Sequence, residues 1–121
     1  PKGDRPVRVL IIRMGGMGDI LLATPMARAL HRHISAQGRE CVMDFVVAKG
    51  MAQAITGISY IRRVIEFDKH PDGDGRVKKL VPFLQKIRDE HYDIVLNLQP
   101  HLKTWAIAYT SGAKTVVNLR N

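Results

Sequence analysis

The segment V-R-V-L-I-I-R-M-G-G-M-G-D-I-L-L-A-T-P, from Val7 to Pro25, joins an apolar run to a glycine turn and then to a second apolar pattern. The run from Val7 to Arg13 is rich in β-branched residues, which is typical of a strand covered on both faces. Apolar residues then recur at steps of three and four from Ile20 to Ile34, which indicates one side of a helix. The segment therefore predicts a central parallel strand, a tight turn and a helix.

Pro25 lies inside this helical pattern and allows two interpretations of where the helix begins. A proline within a helix removes one hydrogen bond to the preceding turn, so the helix would be kinked at Pro25. Proline is also favoured at the first position of a helix, and Thr24 would then be the capping residue. The sequence leaves both interpretations open.

The rest of the chain alternates between strand and helix patterns. Further strands are predicted over Val42 to Ala48, Arg63 to Phe67, Asp93 to Leu98 and Lys114 to Leu119. Helices are predicted over Gly50 to Ile55, Val77 to Ile87 with a division or kink at Pro82, and His101 to Ser111. Such alternation favours an open parallel sheet with helices on both faces. We predict one Rossmann-like α/β domain over residues 1–121, with strand order 3-2-1-4-5 and a ligand site beside the carboxyl end of strand 1.

The glycine turn lacks the features of the common phosphate-binding turns. A dinucleotide-binding turn needs a third glycine where this chain has Leu21, and an acid after the second strand, where it has Lys49. A phosphate-binding loop needs a lysine after its last glycine, but Asp19 follows Gly18 here and would repel a phosphate. The turn is therefore not predicted to bind a nucleotide phosphate.

The composition narrows the range of partners. A formal net charge of +8 attracts polyanions such as nucleic acid, anionic lipid head groups or phosphorylated substrates. Aromatic residues are few and scattered and no RNA-binding motif is present, so nucleic acid is not an expected partner. The five histidines have no ligand spacing with the single cysteine, Cys41, so neither a metal nor another cofactor is predicted.

The sequence also leads to an expected compartment. No apolar run reaches the roughly 20 residues that span a bilayer, and no cationic leader is present. Cys41 lies in an apolar run and is interpreted as a small buried residue. We therefore expect a cytoplasmic protein, whose net charge also allows peripheral contact with an anionic membrane surface.

With its flanks, the glycine turn V-L-I-I-R-M-G-G-M-G-D-I-L-L-A-T-P-M-A-R-A-L resembles the amino terminus of the bacterial ADP-heptose:lipopolysaccharide heptosyltransferases, glycosyltransferase family nine. The resemblance is dense from Val9 to Leu30 and continues more loosely through M-D-F-V-V-A-K-G, R-V-I-E-F-D-K and Y-D-I-V-L-N-L-Q-P-H-L-K-T to S-G-A-K. It implies the GT-B architecture, in which two Rossmann-like domains face each other across a cleft. This chain would be the amino-terminal, acceptor-binding domain, and the carboxyl-terminal, donor-binding domain would lie outside it.

The resemblance further implies an inverting, metal-independent transfer of heptose from ADP-heptose to the lipopolysaccharide core, whose Kdo or heptose hydroxyl is the acceptor. The reaction would take place at the inner face of the inner membrane. An inverting transfer needs a base that removes the proton of the attacking hydroxyl. By motif position Asp19 matches the acid proposed as the family's general base, while the residues alone also allow Asp19 to be a helix cap.

An acceptor site around the turn is also implied. Glycines would let the acceptor sugar approach the backbone, and basic residues at the ends of strands would bind its carboxylates or phosphates. The residues assigned to acceptor binding are Arg13, Gly15, Gly16, Met17, Gly18, Lys69 and Lys103.

Some features leave other functions open. The chain departs from the family pattern at Asn97 and Pro100, where many relatives carry an acid and a glycine. One alternative is a non-catalytic binding module for a phosphorylated lipid or sugar. A weaker alternative is a nucleic-acid-binding protein that relies on its net charge.

Overall fold

The computed structural model describes residues 6–14, 17–67, 75–98, 108 and 111–118. The strands are β1 (Val7–Ile12), β2 (Cys41–Ala48), β3 (Ile61–Phe67), β4 (Ile94–Asn97) and β5 (Thr115–Asn118). The helices are α1 (Met17–Ala36) and α2 (Gly75–Asp89), with a short 3-10 helix at Ala52–Ile55. The predicted helix from His101 to Ser111 falls mostly outside the described residues.

The five strands form one parallel sheet in the order β3-β2-β1-β4-β5, which confirms the predicted Rossmann-like α/β fold. β1 pairs with β2 on one side and with β4 on the other. The direction of winding therefore reverses between β1 and β4, so that the carboxyl ends of these two strands border a crevice.

Helices cover both faces of the sheet. On one face, Ile20, Ala23, Ala27 and Ile34 of α1 are buried against alternate strand residues such as Val9. On the other face, Ile87 of α2 packs with the intervening strand residues, among them Leu10 and Ile12. β1 thus contributes to both cores, as its nearly continuous apolar run predicts.

The first helix continues through Pro25. Since proline has no N–H, the carbonyl of Leu21 lacks its usual helical donor, and the hydroxyl of Thr24 donates to that carbonyl at 2.7 Å. The Tyr60 hydroxyl donates to the Thr24 carbonyl at 3.1 Å and ties this turn to the segment before β3. The interpretation of Thr24 as a helix cap is therefore wrong. α2 likewise continues through Pro82, so the predicted division of that helix is wrong as well.

A buried carboxylate links the strands in the amino-terminal half of the sheet, away from the crevice. Asp44 of β2 is fully buried and accepts two hydrogen bonds from Arg62, at 3.1 and 2.6 Å. The hydroxyl of Tyr92, just before β4, donates to the same carboxylate at 2.5 Å. Burial and then the Asp44 carboxylate raise the pKa of Tyr92, so this phenol remains a donor.

A register shift in β3 places two adjacent arginines close to the Asp44 carboxylate. Met43 pairs with Ile61 but the next residue, Asp44, pairs with Arg63, which leaves Arg62 as an extra residue in β3. Side chains in a regular strand alternate between faces, so the extra residue puts Arg62 and Arg63 on one face together. Arg63 Nη2 lies 3.6 Å from the Asp44 carboxylate.

Glu90 extends this network toward β1. Its carboxylate lies 2.7 Å from Arg63, 3.3 Å from Arg62 and 3.6 Å from Arg8. The hydrogen bond from Arg63 lowers the pKa of Glu90. Arg8 also donates to the Glu90 carbonyl at 2.7 Å, so charged groups join β1, β2, β3 and the turn before β4.

We predict that Asp44→Ala lowers the free energy of unfolding by about 3 kcal/mol, because the buried Tyr92 hydroxyl loses its acceptor and Arg62 keeps only its weaker contact with Glu90. Tyr92→Phe removes one donor only and should cost about 1–2 kcal/mol. Urea unfolding measures both effects, with the exposed Glu40→Gln as the control. A cost for Asp44→Ala no larger than that of the control would contradict this account.

Candidate functional site at the switch point

The candidate site lies at the carboxyl ends of β1 and β4, where the strand order reverses. Ile12 and Asn97 are paired at the ends of these strands, and Leu98 N–H donates to the Ile12 carbonyl at 2.9 Å. On the other side of β1, Arg13 N–H donates to the Val46 carbonyl at 3.0 Å. The backbone of Arg13 is thereby held by both neighbouring strands.

The side chain of Arg13 joins the two sides of the crevice. Its Nη1 donates to the carbonyl of Leu98, the first residue after β4. Its Nη2 lies 3.5 Å from Oδ1 of Asp19 in the first turn of α1. One guanidinium therefore connects the end of β4 with the start of α1, and the planar fork of arginine can contact both partners at once.

Asp19 is the third residue of α1, two positions inside the helix rather than before it. The next residue, Ile20, is fully buried and holds this turn against the sheet. The partial positive charge at the helix start favours a carboxylate there. The Asp19 side chain is 51% exposed, so its pairing with Arg13 leaves the carboxylate accessible to a ligand.

A small cavity of about 160 Å³ adjoins these two charges. It combines the charged pair with apolar surface, and its lining residues are Arg13, Asp19, Leu22, Ala23, Met26 and Leu98. Pockets for whole small molecules usually occupy about 300–1,000 Å³. This cavity is smaller than that range, and it presents both charged and apolar side chains.

The structure brings together only some of the predicted site residues. Arg13 and Asp19 are in contact, and Gly18 precedes Asp19 in the first turn of α1. A Cβ built on Gly18 meets no atom within 4 Å, so the space beside this turn is open. Met17 is the first residue of α1, and the remaining predicted residues, Gly15, Gly16, Lys69 and Lys103, lie outside the described residues.

Sequence reasoning missed several groups at this edge of the sheet. Asn97 is fully buried, and its amide donates to the Asn118 side chain of β5 at 2.9 Å. The Leu98 carbonyl is an acceptor for Arg13, a role that no side-chain pattern reveals. Leu22 and Met26 do not belong to the buried set of apolar residues in α1. Their sequence signal was the presence of large apolar residues on the solvent side of a predicted helix.

The described residues contain neither a metal-binding cluster nor a membrane-spanning helix. In these ranges, no group of three histidine, cysteine, aspartate or glutamate side chains is arranged to hold a metal ion. Neither α1 nor α2 is both long and apolar enough to cross a membrane. Cys41 is buried in the core, as predicted, and burial raises the pKa of its thiol.

Comparison with solved structures shows that the chain has the fold of a domain found in glycosyltransferases. The glycosyl transferase family 9 protein from Veillonella parvula DSM 2008 matches with a TM-score of 0.78 and 22% identity, over 93% of this chain and 31% of that chain. E. coli heptosyltransferase WaaC with ADP matches with a TM-score of 0.71 and 23% identity, over 90% of this chain and 35% of that chain. The same enzyme with ADP-2-deoxy-2-fluoro heptose gives a TM-score of 0.70 and 23% identity, over 93% and 35% of the two chains.

These matches confirm, at the level of the fold, the resemblance carried by the glycine turn. The chain spans about a third of the length of the solved structures it matches. No family model and no curated protein matches the sequence.

We predict that Arg13→Gln lowers the free energy of unfolding by about 1–2 kcal/mol, because a charged hydrogen bond to the Leu98 carbonyl is lost. Asp19→Asn, which removes only the half-exposed ion pair, should cost less than about 1 kcal/mol. Urea unfolding at low and high salt separates the two effects, since salt screens an exposed ion pair. If the Arg13→Gln effect disappeared in high salt, Arg13 would not hold the end of β4.

Proposed function

We propose that this chain is the acceptor-binding half of an inverting glycosyltransferase, which transfers heptose from ADP-heptose to the inner core of lipopolysaccharide. The observation that carries the proposal is the position of Asp19. It is an accessible carboxylate, paired with Arg13, at the switch point of a sheet whose fold matches a heptosyltransferase.

In the proposed reaction, an acceptor hydroxyl oxygen attacks the anomeric carbon of the heptose from the face opposite to ADP. The new carbon–oxygen bond forms as the bond to ADP breaks, ADP leaves with the electron pair, and the configuration is inverted. The hydroxyl proton passes to the Asp19 carboxylate. Since a carboxylate is a weak base, it takes the proton only as the attacking oxygen acquires positive charge. No metal or other cofactor takes part.

Arg13 is proposed to be a positioning residue and an anion contact. Its bond to the Leu98 carbonyl holds the guanidinium in place, and its Nη2 orients the Asp19 carboxylate. Its side chain is 22% exposed, so an acceptor phosphate or carboxylate can reach it from the crevice. A net charge of +8 favours such an anionic acceptor. Lys69 and Lys103 remain predicted to contribute to binding of the acceptor.

The donor is proposed to be held mainly by a second domain. The glycine turn of this chain lacks the residues that bind nucleotide phosphates in the common loops, and Asp19 would repel them. The matched E. coli enzyme is seen with ADP and with an ADP-heptose analogue, and this chain covers about a third of its length. The acceptor is lipid-borne, so the proposal places the enzyme in the cytoplasm, at the inner face of the inner membrane.

The first test concerns Asp19 in the full-length transferase. Asp19→Asn keeps the shape of the side chain but not the proton acceptor, so the rate of heptose transfer should fall by roughly a hundredfold or more. Unfolding should change little, and Glu40→Gln serves as a charge-matched control. Turnover and melting temperature are measured on the same samples. Near-normal turnover of Asp19→Asn would remove it as the base and favour a non-catalytic binding module.

The second test uses the 121-residue chain in isothermal titration calorimetry. We expect weak binding of a soluble phosphorylated core fragment, no tight binding of ADP-heptose, and no transfer when both are present. Arg13→Ala should weaken acceptor binding by an amount that shrinks as salt rises. Tight ADP-heptose binding without acceptor binding would overturn the assignment of this domain to the acceptor.

A further inference from the structure

A groove lies between the middle of α1 and residues 58–60, the turn before β3. Its volume is about 480 Å³, within the range of pockets that hold whole small molecules. It shares no lining residue with the cavity beside Asp19. We call it the arginine groove, because Arg28 and Arg32 line it together with Pro25, Ala29, Ile58 and Tyr60.

Both walls of the arginine groove are fixed to the core. Ala27 of α1 is fully buried, and Ile58 and Tyr60 pack against the same hydrophobic cluster. The Ile61 N–H donates to the Ile58 carbonyl at 3.1 Å, which closes the turn. The hydroxyl of Tyr60 donates to the Thr24 carbonyl at 3.1 Å and joins the turn to the helix. The fold itself therefore sets the shape of the groove, so a ligand would not have to order it.

Two arginines give the groove its charge. Arg28 and Arg32 are one helical turn apart, and both are exposed. Within the described residues neither arginine makes an ion pair or a hydrogen bond, and none of the described residues that line the groove is acidic. Like charges at this spacing repel each other and slightly destabilise a helix. A bound anion would remove that repulsion.

The spacing of the two guanidinium groups suits a phosphate. Side chains four residues apart on a helix begin about 5–6 Å from each other, so both can turn toward one tetrahedral anion. Arginine donates paired hydrogen bonds to phosphate oxygens. The Ser59 hydroxyl also lines the groove and can donate another. Burial raises the pKa of Tyr60 and the positive charge of Arg28 opposes that rise, which is consistent with a guanidinium close to the groove wall.

Apolar surface adjoins the two arginines. Pro25, Ala29 and Ile58 line the groove as well. An inorganic anion would leave this surface in contact with water, whereas the carbon skeleton of a phosphate ester would cover it. Because these side chains line a concave site between two walls, they suit a small molecule better than an extended surface.

We propose that the arginine groove binds a small organic phosphate ester, with the phosphate at Arg28 and Arg32 and the carbon skeleton against Pro25, Ala29 and Ile58. The groove would be a second ligand site. Arg28 comes nine residues after Asp19, which is roughly 14 Å along the helix axis. The inference goes beyond the proposed function and does not depend on it.

The test is an NMR titration of the 121-residue chain with phenyl phosphate, whose ring serves as the apolar part. The amide signals of residues 24–32 and 58–60 should shift most, and the shifts should saturate. Phenyl phosphate should bind roughly threefold or more tighter than inorganic phosphate, because its ring covers apolar surface. Phenol, which has no phosphate, should not shift these signals.

Substitution of the arginines separates binding from stability. Arg28→Gln with Arg32→Gln should weaken phenyl phosphate binding roughly tenfold or more, because charged hydrogen bonds are lost. Arg28→Lys with Arg32→Lys keeps the charge but not the planar fork, and should weaken binding roughly threefold or more. Neither double variant removes a described contact, so the melting temperature of the chain without phenyl phosphate should not fall.

Two control variants test whether the effect is specific to the groove. Lys86→Gln with Arg88→Gln removes the same charge from exposed positions of α2 and should weaken binding less than about twofold. Asp19→Asn should bind phenyl phosphate as the unchanged chain does. Failure of the proposed transfer would therefore be distinguishable from failure of this inference.

Three results would overturn the inference. The first is the absence of saturable shifts at the groove amides, and the second is an equal loss of binding in the α2 double variant. The third is binding to phosphatidylglycerol vesicles that requires Arg28 and Arg32, without binding of phenyl phosphate. That outcome would place a lipid head group in the groove instead of a small molecule.

Discussion

The burial of β1 on both faces is the constraint on which the rest of this structure depends. Leu10 and Ile12 face one core while Val9 and Ile11 face the other, so each face must be covered by helices. Right-handed crossovers then place β2 and β3 on one side of β1, and β4 and β5 on the other. The crevice beyond β1 and β4, where Asp19 lies, follows from that reversal.

The two ends of the sheet use charge in different ways. Toward the amino ends, Asp44 is fully buried and accepts hydrogen bonds from Arg62 and Tyr92. These bonds connect β2 to β3 and to the segment before β4. At the carboxyl ends, the Asp19 carboxylate has Arg13 beside it at 3.5 Å and remains half exposed. A carboxylate can exchange a proton with a ligand only where the ligand can reach it, which separates the structural acid from the candidate catalytic one.

Local pattern predicted the elements well, but it left the start of α1 open between a kink at Pro25 and a cap at Thr24, and it wrongly allowed a division of α2 at Pro82. At Pro25 the helix tolerates the missing N–H because the Thr24 hydroxyl satisfies the freed Leu21 carbonyl, a compensation that periodicity does not record. In a regular strand, the adjacent Arg62 and Arg63 of β3 would lie on opposite faces of the sheet. The extra residue at Arg62 instead puts both on the buried carboxylate of a neighbouring strand, and such a register shift depends on pairing across the sheet.

The sequence by itself determined the fold class, the strand order, and the position of Asp19 after a glycine turn at the end of the central strand. These follow from hydrophobic period and chain connectivity, which are local or nearly so. Only the tertiary structure decided that Arg13 holds the Leu98 carbonyl, that Asn97 joins Asn118, and that Leu22 and Met26 lie exposed beside the candidate base. Each of these joins or exposes groups according to how distant segments pack, and spacing along the chain carries no record of that packing.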